Sequence, residues 1–480
     1  MQLSPFFLRK ENFGIVLLHP DFYRMGVIDP LSAMILILSK RLPSIHEVKK
    51  YLALRLNLDE KECNDVLNDV QNKFKLIFKP VGTYTRDLDI GLKEDDVLYF
   101  DVNEKEHLVA RQGFVRLKTP IAISFCITFR CHLKCRYCYA PTNSLPPLKI
   151  GRELSYEEII HMIDDARELD VKQIVITGGE PFLRDDLIDI IKYIARKGIF
   201  VECSTKYPLK DEVFHELHGS LDKIQISIDA FYPKTQDFLT QSKGSLHWLL
   251  TNVECAIKHK IRTQVNSVIT GYNISEIPLL VKSLLEKGVD FISLSYYGRA
   301  HKHFDDVLFP NLTDYIALKR KLYEILKENR SDELEEGVFM ISNASKESLL
   351  LLKPINYAIE ALQGIIRVES GFRCGGFRNA LSILPDGKVI FCDRIVWAGS
   401  EFVVGDLRSN RLIDIWNSPR VWELCFPSRE KFIGTMCYKC ERFDECQKIG
   451  FCYVSSYEAY GRYFAPRPGC PFSKPQVRVL

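Results

Sequence analysis

Between residues 119 and 330 the chain alternates short apolar runs with amphipathic stretches. The runs IAISFCIT, QIVIT, FVECST, KIQISID, TQVNSVIT and FISLSYYG are rich in β-branched and aromatic residues and predict six strands. Most are separated by helical patterns. SYEEIIHMIDDAREL opens on a Ser155-x-x-Glu158 capping box, and RDDLIDIIKYIARKG closes on Lys and Gly. Strands joined by crossover helices predict an α/β fold, most simply a partial (βα)6 TIM-type barrel. In such barrels the chemistry sits at the C-terminal ends of the strands.

The flanking regions read differently. In residues 1–80, FGIVLLHP and RMGVID predict two short strands. IDPLSAMILILSKR, SIHEVKKYLALRL (with a Ser44-x-x-Glu47 box) and DEKECNDVLNDVQNKF predict three helices. Strands followed by three helices make a winged-helix-like module with a strand edge able to accept an extended peptide. Residues 81–118 read as a linker and 331–370 as a bridging region. Over 371–480 periodicity weakens and Cys, Gly and Pro punctuate the chain. That pattern suits a small domain held by metal clusters rather than by a large core.

Composition narrows the class. The 480 residues are 46% hydrophobic and 26% charged, as in soluble globular proteins. A net charge of +3 argues against nucleic acid as partner. The basic residues Lys40, Arg41, Lys49, Lys50 and Arg55 leave DNA binding by the N-terminal module as an alternative to a solvated face. The start MQLSPFFLRK lacks a signal-peptide pattern. The apolar run Leu31–Ser39 is about half the ~20 residues a membrane span needs. The expectation is a cytoplasmic protein without a membrane partner. Fifteen cysteines in a reducing compartment point to metal binding rather than disulfides.

Three of these, Cys131, Cys135 and Cys138, fall within FRCHLKCRYCYAPTN, just after the first barrel strand. Three thiolates on one tight loop can hold three corners of a cubane cluster and leave the fourth iron open to a ligand, whereas closed sites take four protein ligands. The second strand ends in TGGEPFLR. There Gly178 and Gly179 would let backbone approach a ligand closely, and Glu180, before Pro181, offers an anion for an ammonium group. The third strand ends in CSTKYP with Ser204, the fourth in ISIDA with Ser227 and Asp229, and the fifth holds Asn266 in QVNSV. Each of these could instead cap the turn that follows its strand. The triplet could also be a zinc site completed from afar, or three core cysteines.

These motifs resemble the radical S-adenosylmethionine superfamily, whose three cysteines stand at this spacing with an aromatic before the last. The resemblance implies a [4Fe-4S] cluster on Cys131, Cys135 and Cys138, with S-adenosylmethionine on the open iron. It places Tyr137 near the adenine, Gly178 to Pro181 at the methionine amino group, and Ser204, Ser227, Asp229 and Asn266 near the ribose or carboxylate. The sequence departs from the family at His132, where Asn is common, and at STKYP, which lacks the common Thr-Asn-Gly. The implied reaction is one-electron cleavage to a 5′-deoxyadenosyl radical that abstracts hydrogen from carbon, fed by an electron donor such as flavodoxin or ferredoxin.

The C-terminal cysteines add to this. Cys374, Gly387 and Cys392 are followed by Cys437-x2-Cys440-x5-Cys446-x5-Cys452 and then Cys470. The set resembles the SPASM extension, which carries two auxiliary clusters, although the family spacing before the fourth cysteine of the run is usually three. Carried over, Cys437, Cys440, Cys446 and Cys470 would hold one cluster, and Cys374, Cys392 and Cys452 the other. The latter set is one ligand short, so its iron could take a substrate thiolate. The total would be three [4Fe-4S] clusters. A zinc ribbon is the alternative for the Cys-x2-Cys pair. Cys63, Cys126, Cys203, Cys255 and Cys425 read as small core residues. Asp393 stands where sulfatase-maturing relatives have an acidic base; a surface or turn-capping role competes.

The N-terminal module resembles the recognition element of maturases acting on ribosomally made peptides, which binds a leader segment as an added strand. The expected function is a thioether-forming maturase joining a peptide cysteine sulfur to carbon, of sactipeptide or ranthipeptide type. The alternatives are formylglycine formation of the sulfatase type, carbon–carbon linkage or epimerisation, and a non-enzymatic iron–sulfur or zinc scaffold.

Overall fold

The computed structural model describes residues 3–20, 24–78, 84–98, 116–140, 151–297, 305–328, 332–335, 338–343, 346–351, 375–466 and 470. The chain divides into two units, 1–118 and 119–480.

The first unit begins with an antiparallel meander, β1 (Phe7–Glu11), β2 (Gly14–His19) and β3 (Arg24–Ile28), in the order β1-β2-β3. The sequence reading found β2 and β3 but not β1. FLRKE carries charged residues on a strand whose Arg9 and Glu11 are nonetheless buried, paired at 2.6 Å. Burial of an ion pair is a tertiary outcome that hydropathy does not announce. Three helices follow, Pro30–Arg41, Ile45–Leu56 and Glu60–Lys73, capped by Asp29, Ser44 and Asp59. Asp59 and Glu62 form a reciprocal capping box, satisfying two otherwise orphaned N–H groups. Phe6, Leu8, Ile15, Ile35, Val48, Leu52 and Leu67 form the unit's own core. Within the stretch read as a linker, Ile90 and Val97 are buried in that core, and Leu8 N donates to Ile90 O at 2.7 Å. This covers the free side of β1. Among the described residues β3 pairs only with β2, and no other main-chain group bonds to it.

The second unit contains the barrel. β4 (Ala122–Thr128), β5 (Gln173–Gly178), β6 (Phe200–Thr205), β7 (Lys223–Ser227), β8 (Arg262–Ile269) and β9 (Phe291–Tyr296) are parallel neighbours in that order. All six coincide with the predicted runs. The reason is physical: strands of a parallel sheet are buried on both faces and so read as nearly continuous apolar runs. Helices Tyr156–Glu168, with both bonds of the Ser155–Glu158 capping box, and Leu187–Arg196 bury Ile159, Ile163, Ile190 and Ile194 against strand residues such as Ile123, Phe125 and Ile174.

The sheet continues at both ends. On the β9 side it adds β12 (Lys346–Leu351) in parallel, then β11 (Val338–Asn343) and β10 (Asp332–Glu335) antiparallel. On the β4 side it adds β13 (Ala380–Ile383) in parallel, then β14 (Lys388–Ile390) and β15 (Val403–Asp406). The C-terminal region is thus welded to the barrel by main-chain bonds. Its aromatic side chains also extend the barrel's core. Phe377, Phe391, Phe402, Trp416, Phe432 and Tyr453 are buried, and Phe377 stacks on Phe391 at 5.8 Å. Aromatic side chains supply large apolar area per residue, so a region of weak periodicity still adds to a core.

Candidate active site

The first thiol loop leaves the C-terminal end of β4. Thr128 accepts from Arg130 N at 3.1 Å and donates to Glu153, which turns the chain out of the strand. Cys131, Cys135 and Cys138 are half-buried. Burial first, then the charges of Glu180, Cys135 and Cys138, push the Cys131 thiol up to about 12. Cys135 is raised in the same way by burial, with Cys138 and Asp229 adding to it and Lys206 opposing. Three thiols that raise one another lie in one field. Desolvated thiols give up their protons readily only to a metal, which is the condition a cluster site must meet. Cys138 N donates to Cys135 O at 3.1 Å, holding the loop tight. His132 packs edge-on against Tyr207 at 5.0 Å.

The two glycines at the end of β5 lie close against neighbouring backbone. A Cβ on Gly178 would lie 2.3 Å from Thr128 O, and one on Gly179 would lie 2.3 Å from Arg130 O. Gly178 also has φ +129°. Gly179 N donates to Thr128 O at 2.7 Å and Glu180 N to Arg130 O at 2.8 Å. What these glycines let in is the backbone leading into the thiol loop. Glu180 is thereby locked beside it, 2% exposed. Its carboxylate accepts from Thr205 Oγ1 and Lys206 N, both at 2.8 Å, and from Phe182 N at 3.2 Å. Burial outweighs these bonds and raises the carboxyl to about 7.

Lys206, unassigned in the sequence reading, joins the motifs. Its Nζ donates to Asp229 Oδ2 at 2.7 Å and to the Tyr137 hydroxyl, and lies 4.7 Å from the Tyr137 ring centroid. The Tyr137 hydroxyl also donates to Asp229, whose other oxygen accepts from Val268 N at 2.9 Å. Asp229 is fully buried. The signal available in the sequence was Lys206 itself, standing where the family commonly has the Asn of Thr-Asn-Gly.

Inside the barrel, side chains form a polar ladder. Lys223 pairs with Glu202 at 2.7 Å and donates to Gln264; Gln264 donates to Gln225, and Gln225 to Ser204 at 3.2 Å. Asn266 Oδ1 accepts from both Ser293 and Ser295 at 3.0 Å. Ser227 lies opposite Asn266 in the β7–β8 register. Among the described residues no side-chain partner is seen for Asn266 Nδ2 or the Ser227 hydroxyl. Pro181 is buried and opens a short turn of helix, Pro181–Leu183.

In the C-terminal region Cys437 is pushed up to about 12 by burial and then by Cys470, Cys446 and Cys440. The four thiols expected to share a cluster therefore share a field, although Cys470 is thirty residues from Cys440. Cys392 and Cys452 are half-buried against the aromatic core, and Ser455 Oγ lies 3.1 Å from Cys452 Sγ. Cys374 lies outside the described residues. Among the described residues no three His, Cys, Asp or Glu side chains converge on a single ion. A cluster whose ligands bond separate irons does not ask for that convergence. Cys63, Cys126, Cys203 and Cys425 are buried as expected, and Cys255 is half-buried. Asp393 turns inward: Ser124 Oγ of β4 donates to it at 3.2 Å, and its charge acts on Cys126 and on Tyr139, next to Cys138.

Fold and thiol arrangement together define a class. Residues 125–284 match the radical SAM superfamily, and residues 374–441 match the SPASM iron–sulfur cluster-binding domain. The chain thus contains a radical SAM domain followed by a SPASM domain. Among solved structures it is similar to Streptococcus suis SuiB bound to precursor peptide SuiA, with TM-score 0.59, 16% identity, and coverage of 97% of this chain and 98% of that one. It is also similar to anSMEcpe with bound AdoMet and Cp18Cys peptide, with TM-score 0.50, 15% identity, and coverage of 72% and 93%. Among curated proteins, Fe-coproporphyrin III synthase of Methanosarcina barkeri is 24% identical over 377 residues, 76% of this chain and 90% of that protein. Among the described residues no helix is long and apolar enough to cross a membrane.

Proposed function

We propose that this chain is a peptide maturase that forms thioether links between a cysteine sulfur and a carbon of a ribosomally made precursor. The observation that carries the reading is the first unit. Its sheet leaves the β3 edge without a main-chain partner among the described residues, in a chain whose fold is similar, over 97% of its length, to that of SuiB bound to precursor peptide SuiA. A leader segment would add to β3 as a fourth strand, with main-chain bonds for affinity and alternate side chains for selectivity.

In this reading Cys131, Cys135 and Cys138 hold the reactive cluster, Cys437, Cys440, Cys446 and Cys470 a second, and Cys374, Cys392 and Cys452 a third. When bound, the first cluster and S-adenosylmethionine supply a 5′-deoxyadenosyl radical that removes hydrogen from the peptide. The protein's own part is placement. Glu180, aimed by Thr205 and Lys206, receives the methionine ammonium. Ser227 and Asn266 offer hydrogen bonds to the ribose or carboxylate, with Asn266 oriented by Ser293 and Ser295. Tyr137 walls the adenine side. Asp393, reaching β4 through Ser124, stands between Cys392 and the barrel, where a base could take the proton lost from the peptide. Flavodoxin or ferredoxin would supply electrons.

Co-expression with a candidate cysteine-rich precursor peptide, followed by mass spectrometry, tests the proposal. Each link should remove two hydrogens and block one cysteine to alkylation; an unmodified, alkylatable cysteine sinks the thioether reading. A second reading rests on the curated relative named for coproporphyrin chemistry. It predicts radical modification of a tetrapyrrole supplied in place of the peptide, and an unchanged tetrapyrrole refutes it.

A further inference from the structure

Tyr137, Glu180 and Asp229 come from three separate strand ends, and one residue touches all of them. Lys206 N donates to Glu180 Oε2 at 2.8 Å, and Lys206 Nζ donates to Asp229 Oδ2 at 2.7 Å and to the Tyr137 hydroxyl. Its backbone is pinned in turn by Trp248 Nε1, which donates to Lys206 O at 3.0 Å. The side chain is 13% exposed, so the ammonium is held largely out of water by these partners. A lysine in this setting is costly to bury without a matching anion, and Asp229 supplies one. That pair alone would explain a structural lysine. The placement beside the thiol loop, with the phenol of Tyr137 from the middle of the Cys135-x-Tyr-Cys138 run as the third member, asks for more.

We propose that Lys206 is a positioning residue of the radical SAM site: its ammonium fixes Tyr137 against Asp229 and biases the cluster held by Cys131, Cys135 and Cys138 towards its reduced form. The physical reason is charge. Reduction adds one electron to a cluster held by thiolates with Glu180 and Asp229 close by, and an ammonium fixed against Tyr137 of the thiol loop lowers the cost of that electron. The proposal rests on the assignment of the three thiols to the reactive cluster and not on the peptide chemistry.

The test is an EPR-monitored redox titration of the anaerobic holoenzyme and its Lys206→Met, Lys206→Arg and Asp229→Asn variants. The signal that changes on adding S-adenosylmethionine marks the cluster in question. Lys206→Met should reduce the equilibrium constant for reduction about tenfold, which is ~59 mV for one electron. Lys206→Arg should restore it, and Asp229→Asn should shift it the other way. A purely structural lysine would move iron content or stability but not the potential of the protein that still carries clusters. Lys206→Met and Asp229→Asn both titrating with the wild type would overturn the proposal. If Lys206→Met fails to hold iron, an unmoved Asp229→Asn overturns it alone. A wild-type protein with no signal responsive to S-adenosylmethionine would instead sink the cluster assignment.

Discussion

Glu180, proposed to receive the cofactor's ammonium group, should set a pH limit on cofactor binding. Burial raises its carboxyl from the ordinary 4.5 to about 7, despite hydrogen bonds from Thr205, Phe182 and Lys206 N that favour the ionised form. A carboxyl titrating there is about one-tenth ionised at pH 6 and about nine-tenths at pH 8. An ammonium ligand needs the ionised form. The affinity of the cluster-loaded protein for S-adenosylmethionine should therefore fall roughly tenfold from pH 8 to pH 6. Isothermal titration calorimetry across that range measures it, with proton release on binding as a second readout. Glu180→Gln should bind weakly and with little dependence on pH over the same range. The same group bears on stability. Its folded pKa lies above the unfolded value, so its contribution is full below about pH 4.5 and is lost as pH rises through about 7. A displacement of that size corresponds to about 3 kcal/mol. Wild-type affinity that stays flat from pH 6 to 8, or a Gln variant with the same slope, would refute the reasoning.

Gly179→Ala should destabilise the second unit by about 1–3 kcal/mol in urea unfolding and lower the iron bound, because its Cβ meets Arg130 O at 2.3 Å; wild-type stability and iron content would contradict this. Lys223→Met should cost about 3–5 kcal/mol, since it strands the buried Glu202 carboxylate, and a thermal melt close to wild type would count against it. Cys470→Ser should lower iron from about twelve towards about eight per chain while leaving S-adenosylmethionine cleavage measurable; unchanged iron would remove Cys470 from the ligand set. Residues 1–118, which carry a core of their own, should bind a labelled leader peptide in fluorescence anisotropy, and a leader that binds only the full chain would argue against an independent recognition unit.

The six barrel strands were legible because each is a buried apolar run, and the capping box at Ser155 because its two bonds are local. The thiol loop and GGEP were legible for a similar reason: a short segment carries its own chemistry. β1 was missed because its charges are buried by pairing, and β13 because its partner, β4, lies some 250 residues earlier. A pairing of that range leaves no periodic mark on either segment.

The sequence by itself determined the six barrel strands, the three-thiol loop and the residue types at the strand ends. Local hydrogen bonding and side-chain periodicity suffice for these, since both act over a few residues. Only the tertiary structure decided that Gly178 and Gly179 admit the thiol-loop backbone, that Cys470 shares a field with Cys437, and that Lys206 joins Tyr137, Glu180 and Asp229. Each depends on distances between segments far apart in the chain. Those distances are set by the packing of the sheet and the folding back of the C-terminal region, and no window of sequence contains them.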